Sequence, residues 1–455
     1  MTKKYAAFFE KFPKIILDDE QLVWDTRQVV AAGVVTKKYK YPEEQSLLAA
    51  ASSLALGEPS KKLRIWGVTG TNGKSSTVEI LRHLLCANGR SVLQLGTLGL
   101  SVWDPAAPAK PIHSEEVGFT TPLAPQLQWI LKRAVDEQIQ EVVMEVSSHA
   151  LSEGRSDAID FDCAIFTNLT RDHLDFHKTM ENYFEAKARF FTELLAQSSK
   201  AQKVGVINIG VPYGRELFAS VEKKSFASVS FDFAKDVLIQ KNSVQGLEFN
   251  LSGVGLVKTS LIGDHNVENT SLALLAVAKL LGQPVEALLA VMSSFPGVRG
   301  RLERVLGVSK TVFVDYAHTP DALEKVLRAL QKVKEPASKL WVVFGCGGDR
   351  DAGKRPIMGK IAEDIADSVV LTSDNPRTED PSLILAQIQS GLPANSSKLK
   401  IVEVDRRQAI AKTLDLMDRI DVCVIAGKGH EDYQIIGTQK SHFSDVETVK
   451  ALLKF

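Results

Sequence analysis

The stretch Gly67-Val68-Thr69-Gly70-Thr71-Asn72-Gly73-Lys74-Ser75-Ser76 constrains this chain more than any other, because it follows the apolar run from Leu63 to Trp66 and opens a helical pattern. A strand, a glycine-rich turn and a helix, in that order, make a phosphate-binding loop. Glycine lets backbone N–H groups approach phosphate oxygens, and the N-terminus of the new helix adds positive potential. Gly70, Thr71, Asn72, Gly73 and Ser76 would form the cradle, Lys74 would reach the terminal phosphates, and Ser75 would hold a magnesium ion. ATP is the ligand this pattern implies. The spacing departs from the strict G-x-x-x-x-G-K-[ST] form: Val68 stands where the first glycine belongs, and the run reads G-x-x-G-x-x-G-K-S.

A chain of 455 residues exceeds one ordinary core, so two or three domains are expected. Its 55 Lys and Arg balance 55 Asp and Glu. That balance removes the electrostatic footprint of a nucleic-acid or acidic-membrane binder and favours a small-molecule partner. Cys86, Cys163, Cys346 and Cys423 lie far apart, without the spacing of a disulfide framework or a zinc site, so buried thiols and a reducing cytoplasm are expected. Glu10, Lys11 and Lys14 interrupt the apolar residues near the N-terminus, which argues against a signal peptide, and no run approaches membrane-spanning length.

From Leu63 onward, strand-like runs alternate with helical patterns, the signature of α/β layering over a mainly parallel sheet. Strands are expected at 63–68, 91–96, 141–146, 161–166 and 204–209. Helical stripes run through Val78, Ile80, Leu81, Leu84 and Leu85, through Leu127, Ile130, Leu131 and Ala134, and across 266–281. Residues 226–260 carry short alternating runs, such as 246–251, that suggest an antiparallel β excursion. Phe295-Pro296-Gly297 breaks the pattern as a linker. A second series follows, with strands at 312–315, 340–344, 368–372, 400–404 and 422–425 and helices led by Pro320, Pro356, Pro381 and Arg406. This describes a Rossmann-like domain without a dinucleotide fingerprint: Gly345-Cys346-Gly347-Gly348 follows a strand, but no helix begins at once, which disfavours NAD. The expected division is a small N-terminal module at 1–62 with a helix near 44–56, a central ATP-binding domain at 63–297 and a C-terminal domain at 298–455.

Several separated motifs carry a family resemblance: GTNGKSS at 70–76, MEVSSHAL at 144–151, FTNLTRDHLDFH at 166–177 and EAK at 185–187. Further motifs are GDHNVEN at 263–269, GRLE at 300–303, VDYAHTPDALEK at 314–325, FGCGGDRDAGKRPIMG at 344–359, DNPRTED at 374–380 and AGKGHEDYQ at 426–434. Together they closely resemble the Mur ligases of peptidoglycan synthesis, specifically the MurE type that adds the third residue of the stem peptide. The resemblance spans roughly 63–455. It implies three domains: a shortened N-terminal module gripping the UDP end of the substrate, a central ATPase domain with a mainly parallel sheet, and a Rossmann-like domain admitting the amino acid. It also implies a reaction. ATP phosphorylates the D-glutamate carboxylate of UDP-N-acetylmuramoyl-L-alanyl-D-glutamate, and an amine attacks the acyl phosphate to give the amide, ADP and phosphate. Like charges meet in that step, so magnesium at two sites and Lys74 must neutralise them.

Carried over residue by residue, Ser75 and Glu145 resemble magnesium-associated positions, and His173 resembles the histidine of a second metal site. Lys187 resembles a lysine that captures carbon dioxide as a carbamate and so becomes an anionic oxygen ligand. Asn269 resembles a residue near the nucleotide base, Arg301 the arginine brought onto the phosphates, and Asp315 a residue near the ribose. Thr120, Thr121, Ser147 and Arg155 match substrate-contacting positions, and Thr26 with Arg27 resembles the uridine-side motif. Asp374-Asn375-Pro376-Arg377 resembles the signature of enzymes that add meso-diaminopimelate instead of L-lysine. Arg377 and Arg350 would pair its distal carboxylate, while Glu431 and the Gly427 backbone address the amino end. A monomer is expected.

The pattern is departed from twice. Between Asp25-Thr26-Arg27 and the phosphate loop the chain is roughly forty residues shorter than the family pattern. Glu153 stands where Gln is usual, an acid beside an anionic substrate unless Arg155 or a lysine compensates. The competing readings are a related ligase, of the folylpolyglutamate synthetase kind or acting on a recycled or modified peptide, and a non-catalytic nucleotide-binding paralogue. The DNPR and AGKGHEDYQ segments disfavour the folate reading.

Overall fold

A computed structural model describes residues 42–453 of the protein. Most of the N-terminal module, with Thr26 and Arg27, lies outside the described residues. Contacts divide the described chain into two units, one of residues 42–238, 250–257 and 265–295, the other of 239–249, 258–264 and 296–453.

The first unit opens with α1 (Pro42–Ala55) and β1 (Arg64–Thr69), followed by α2 (Lys74–Ala87), β2 (Val92–Gly96), β3 (Gly99–Trp103), β4 (His113–Glu115), α3 (Ala124–Asp136) and β5 (Glu141–Glu145). Then come α4 (Ser148–Ser152), β6 (Cys163–Phe166), α5 (Leu174–His177), α6 (Met180–Arg189), a π-helical segment at Phe190–Leu195, β7 (Val204–Asn208), α7 (Pro212–Val221) and β8 (Ala227–Phe231). Its sheet has the order β4-β3-β2-β5-β1-β6-β7-β8. β2, β5, β1, β6, β7 and β8 pair in parallel, whereas β3 pairs antiparallel with both β2 and β4 and is the one reversed strand of this sheet. β2, β5, β6 and β7 are buried at every position, as strands covered on both faces must be. That double cover explains their unbroken apolar runs. Leu93, Val142, Met144, Ile130 and Leu131 pack in one continuous core.

One expectation is corrected here. Residues 227–231 were expected in an antiparallel excursion, yet β8 pairs in parallel with β7 from Val204↔Ala227 to Asn208↔Phe231. β8 is an edge strand with only Phe231 buried, so it lacks the continuous apolar run of the covered parallel strands. The excursion itself consists of β9 (Val237–Ser243), β10 (Gly246–Leu251) and β11 (Gly255–Thr259), a sheet in the order β11-β10-β9. Its connections are too short for parallel crossovers. The helices α8 (Asp264–Leu281) and α9 (Val285–Ser293) follow.

The second unit continues with β12 (Glu303–Arg304), β13 (Thr311–Asp315), α10 (Pro320–Val333), β14 (Leu340–Phe344), α11 (Lys354–Ile365), β15 (Ser368–Thr372), α12 (Pro381–Gln389), β16 (Leu399–Glu403), α13 (Arg406–Leu416), β17 (Val422–Ala426), the hairpin β18 (Tyr433–Ile436) and β19 (Gln439–His442), and α14 (Asp445–Leu452). The main sheet has the order β12-β13-β17-β14-β15-β16, parallel except for β12. α10, α11 and α12 cover one face through Leu323, Leu327, Met358 and Ile388. α13 and α14 cover the other through Ile410, Leu414 and Val449. This is doubly wound α/β architecture, with ligand-binding crevices expected at the carboxyl ends of the strands. Cys86, Cys163, Cys346 and Cys423 are buried and free. Among the described residues no helix is long and apolar enough to cross a membrane.

Candidate active site

In the first unit, the carboxyl ends of β2, β5, β1 and β6 deliver Thr97, Glu145, the phosphate loop, and Thr167 with Asn168. Gly73 caps α2 at φ 86°, in the left-handed region, and a Cβ there would lie 2.3 Å from Asn269 Oδ1. Glycine is required at that position by both backbone and space. The segment after β6 fixes the loop: the Thr71 and Asn72 N–H groups donate to Asn168 O and Asn168 Oδ1, each at 2.9 Å, and Thr167 Oγ1 donates to Asn72 O at 2.6 Å. Lys74 Nζ donates to Gly70 O and Thr71 O at 2.9 Å each. Glu145 is buried and accepts from Ser75 Oγ at 2.8 Å, from the Thr97 N–H at 2.9 Å and from Thr97 Oγ1 at 3.2 Å. Gly96 makes room for this carboxylate, since a Cβ there would meet Glu145 Oε1 at 2.4 Å.

Lys187 lies on α6 with its side chain fully enclosed, and its Nζ donates to the same Gly70 carbonyl at 2.9 Å. Burial, and then the charge of Lys74, hold this amine well below the usual lysine range. Tyr183, whose ring lies 4.8 Å from Lys187 Nζ, shares a hydrogen bond of 3.1 Å with Thr71 Oγ1. His173 sits at φ 52° before α5, 3.5 Å from Asp172 Oδ2 and 4.9 Å from the His149 ring. It makes no hydrogen bond or ion pair with Ser75, Glu145 or Lys187. His177 stacks on Tyr183 and meets Ser148 Oγ at 2.9 Å. Burial first, then the neighbouring His149 and Lys187, push His177 down to about 4.

Among the described residues no three or more His, Cys, Asp or Glu side chains form a metal cage. Such a sparse set fits magnesium, which keeps several waters and takes one or two protein oxygens together with substrate phosphates. Ser75 and Glu145 present that set, joined at 2.8 Å beside the loop.

The residues expected on the substrate side gather beyond Glu145. Thr120 Oγ1 lies 3.1 Å from Thr97 Oγ1, and Thr121 Oγ1 donates to Glu145 O at 2.8 Å while accepting from the Ser147 N–H at 3.1 Å. Ser147 Oγ caps α4 by accepting from the Ala150 N–H at 3.2 Å. Arg155 donates Nη1 to Thr121 O at 3.0 Å and Nε to Glu153 Oε2 at 2.5 Å. The unusual acid is thus compensated by Arg155. Sequence reasoning missed Thr97, Asn168, Tyr183, His149 and His177 as contributors. Asn168, His149 and His177 lie inside the quoted motifs, whereas Thr97 has no signal beyond ending a strand.

In the second unit, the ends of β13, β14, β15 and β17 bring together four segments distant in sequence. Asp374 is buried, and burial raises its carboxyl against the opposing influence of Arg406 and Lys428. Gly427, at φ 112°, lies so close that a Cβ would meet Asp374 Oδ2 at 2.5 Å. Asn375 Oδ1 accepts from the Ile435 N–H at 2.9 Å, and its Nδ2 donates to Glu431 Oε2 at 3.0 Å. Arg377 holds φ 49°, with the β18–β19 hairpin bonded to its backbone on both sides: its N–H donates to Ile435 O at 3.1 Å, and its carbonyl accepts from the Gly437 N–H at 2.7 Å. Its Nη1 donates to Gly348 O at 2.8 Å.

A Cβ on Gly347 would lie 3.0 Å from Arg377 Nη1 and 3.6 Å from Arg350 Cγ, so both arginines flank this glycine. Gly345 and Gly348 abut Thr372 O and Pro376 O, at 2.0 and 1.9 Å from their would-be Cβ atoms. These glycines therefore serve loop-to-loop packing, which accounts for a glycine run without a dinucleotide fingerprint. Asp315 ends β13 with both oxygens engaged, by the Leu302 N–H at 2.6 Å and the Ala317 N–H at 2.8 Å, and burial raises its carboxyl. The Arg301 guanidinium lies 5.1 Å from the Tyr316 ring centre. Asn269 belongs to the first unit, and Arg301 and Asp315 to the second.

Comparison with known proteins agrees with this arrangement. Residues 68–277 match the Mur ligase middle domain, and residues 300–429 match the Mur ligase, glutamate ligase domain. The chain is 43% identical to the UDP-N-acetylmuramoyl-L-alanyl-D-glutamate--2,6-diaminopimelate ligase of Synechococcus elongatus, over 90% of this chain and 81% of that one. A solved structure of a ligase of that name superposes with a TM-score of 0.67 at 35% identity, covering 92% of this chain and 84% of the other. A Mycobacterium tuberculosis folylpolyglutamate synthase superposes at 0.62 with 20% identity, covering 84% of this chain and 92% of that one, a likeness of fold alone. With its phosphate loop on one parallel sheet and the DNPR pocket on another, the chain belongs to the Mur ligase family, among the ligases of the MurE type.

Proposed function

We propose that this protein is an ATP-dependent ligase of peptidoglycan precursor synthesis, adding meso-diaminopimelate to UDP-N-acetylmuramoyl-L-alanyl-D-glutamate through an acyl phosphate. The observation that carries the reading is the second, charged pocket. A kinase needs only the phosphate loop, whereas the cluster of Arg350, Asp374, Asn375, Arg377 and Glu431 supports recognition of a zwitterionic partner.

In this reading the Gly70–Ser76 loop and Lys74 bind the phosphates, Asn269, Arg301 and Asp315 serve the nucleotide, and Thr120, Thr121, Ser147 and Arg155 orient the dipeptide. Magnesium, held at Ser75 and Glu145 with His173 and Lys187 serving a second site, would supply charge neutralisation for the approaching carboxylate. The enclosed Lys187 amine, whose protonation burial disfavours, is suited to attack carbon dioxide, forming an N–C bond and releasing a proton to water. The carbamate would replace a buried amine with an anion. Arg377 and Arg350 would pair the distal carboxylate of meso-diaminopimelate, and Glu431 with the Gly427 carbonyl its distal ammonium. L-Lysine would leave the guanidinium unpaired. Residues 1–62 would grip the UDP end, 63–297 house ATP and 298–455 admit the amino acid, in a cytoplasmic monomer.

The test is ADP release with ATP, magnesium and the UDP-dipeptide, comparing meso-diaminopimelate with L-lysine. Release with meso-diaminopimelate alone, and the tripeptide product by mass, is expected. Equal release with both amines, or none with either, overturns the reading.

A further inference from the structure

Lys428 has no role in the mechanism above, yet it is a fully enclosed cation beside the second site. It is 0% exposed, at the turn after β17. Burying an ammonium group is costly unless partners compensate, so its surroundings are informative. Its Nζ lies 3.3 Å from Asn375 Oδ1 and 3.4 Å from Glu431 Oε2, and 5.4 Å from the Tyr433 ring centre. Asn375 Nδ2 donates to that same Glu431 oxygen at 3.0 Å. Lys428, Asn375 and Glu431 thus close a triangle, and all of the side-chain bonding to Glu431 falls on Oε2. Oε1 has no partner among the described residues.

We infer that Lys428 is a positioning residue for the amino-acid substrate: it grips Glu431 from behind, through Oε2, and sets Asn375 in register, so that Oε1 is presented to the distal ammonium. This rests on the reading that Glu431 faces that ammonium. A carboxylate on a short loop otherwise has rotamers to spare, and holding one oxygen lowers the entropy cost of offering the other. Tyr433 and the backbone of Ile435, both on the hairpin, limit where Lys428 and Asn375 can move.

The experiment compares meso-diaminopimelate with 2-aminopimelate, which keeps the distal carboxylate and lacks the distal amine. In the wild type, KM for 2-aminopimelate should be about tenfold or more above that for meso-diaminopimelate, the usual order for one lost charged hydrogen bond. K428M should collapse that ratio toward one by raising KM for meso-diaminopimelate, leaving KM for 2-aminopimelate, ATP and the UDP-dipeptide unchanged. A rise in KM for both amines together, or a ratio unaltered from wild type, overturns the inference. E431Q separates the two layers: a ratio it leaves unchanged sinks the reading of Glu431, and a ratio it collapses while K428M does not sinks Lys428 alone. Should K428M fail to fold, K428Q keeps a polar donor that stops short of Glu431, with the same collapse expected and the same outcomes decisive.

Discussion

The phosphate loop and the DNPR pocket occupy equivalent places, at the carboxyl ends of parallel strands, but they are made of different material. The loop is shaped by glycines and held by neutral groups such as Asn168 and Thr167, which bond its backbone. The pocket consists of charged side chains from four segments, with the β18–β19 hairpin bonded to both sides of Arg377. The first recognises what any triphosphate offers; the second recognises one arrangement of charges. Removed charge should therefore damage the second more than the first, except where the loop meets Lys187, whereas added bulk threatens both, since Gly345, Gly348 and Gly427 are as crowded as Gly73.

The largest effect is expected at that exception. K187A should lower kcat roughly a thousandfold, the scale of losing a preorganised charge at a phosphoryl-transfer site. Labelled bicarbonate should give a carbamate carbon resonance in the wild type and none in K187A; a variant retaining a tenth or so of wild-type kcat would remove Lys187 from the chemistry. Next, R377A should cut the preference for meso-diaminopimelate over L-lysine by about a hundredfold, read as the ratio of kcat/KM values, with KM for ATP unmoved. An unaltered preference would mean that the pocket selects by shape. G96A pushes a methyl group against Glu145 and should raise the half-saturating magnesium concentration about tenfold, with little change in amine preference. If magnesium dependence does not move, Glu145 is not near the metal.

The smallest effect concerns acid. His177 in the first unit and His430 in the second are each pushed down to about 4 by burial first. Between pH 6.5 and 4 the unfolded chain binds protons that the folded histidines refuse, so their contribution is complete above pH 6.5 and is lost as pH falls toward 4. H177Q and H430Q should each flatten the decline of Tm over that interval. A slope untouched by either would show that carboxylates dominate acid unfolding in both units.

Legibility in the sequence follows the same division. β14 and β15 begin and end where their apolar runs do, at 340–344 and 368–372, because strands buried on both faces are apolar, and β10 coincides with the alternating run at 246–251. The Gly70–Ser76 loop was equally plain, since its shape depends on adjacent residues. β8 was assigned the wrong pairing because its direction is set by β7, which its own residues do not encode. Thr97 reaches Glu145 across 48 positions and Lys428 reaches Asn375 across 53, distances at which no local pattern operates. Lys187 is the intermediate case: a lysine on a helix reads as a solvated side chain, and only the family resemblance marked it. The structure buries it, contrary to the solvated reading.

The Gly70 carbonyl accepts from both Lys74 and Lys187, each at 2.9 Å. A carbonyl has lone pairs for two donors, so either amine can depart without orphaning the oxygen. That makes the contact a redundant mooring: were Lys74 to swing to a phosphate, or Lys187 to take up carbon dioxide as proposed, the other would keep the peptide facing the same way. The order of these events is then free, and neither has to wait for the loop to be rebuilt.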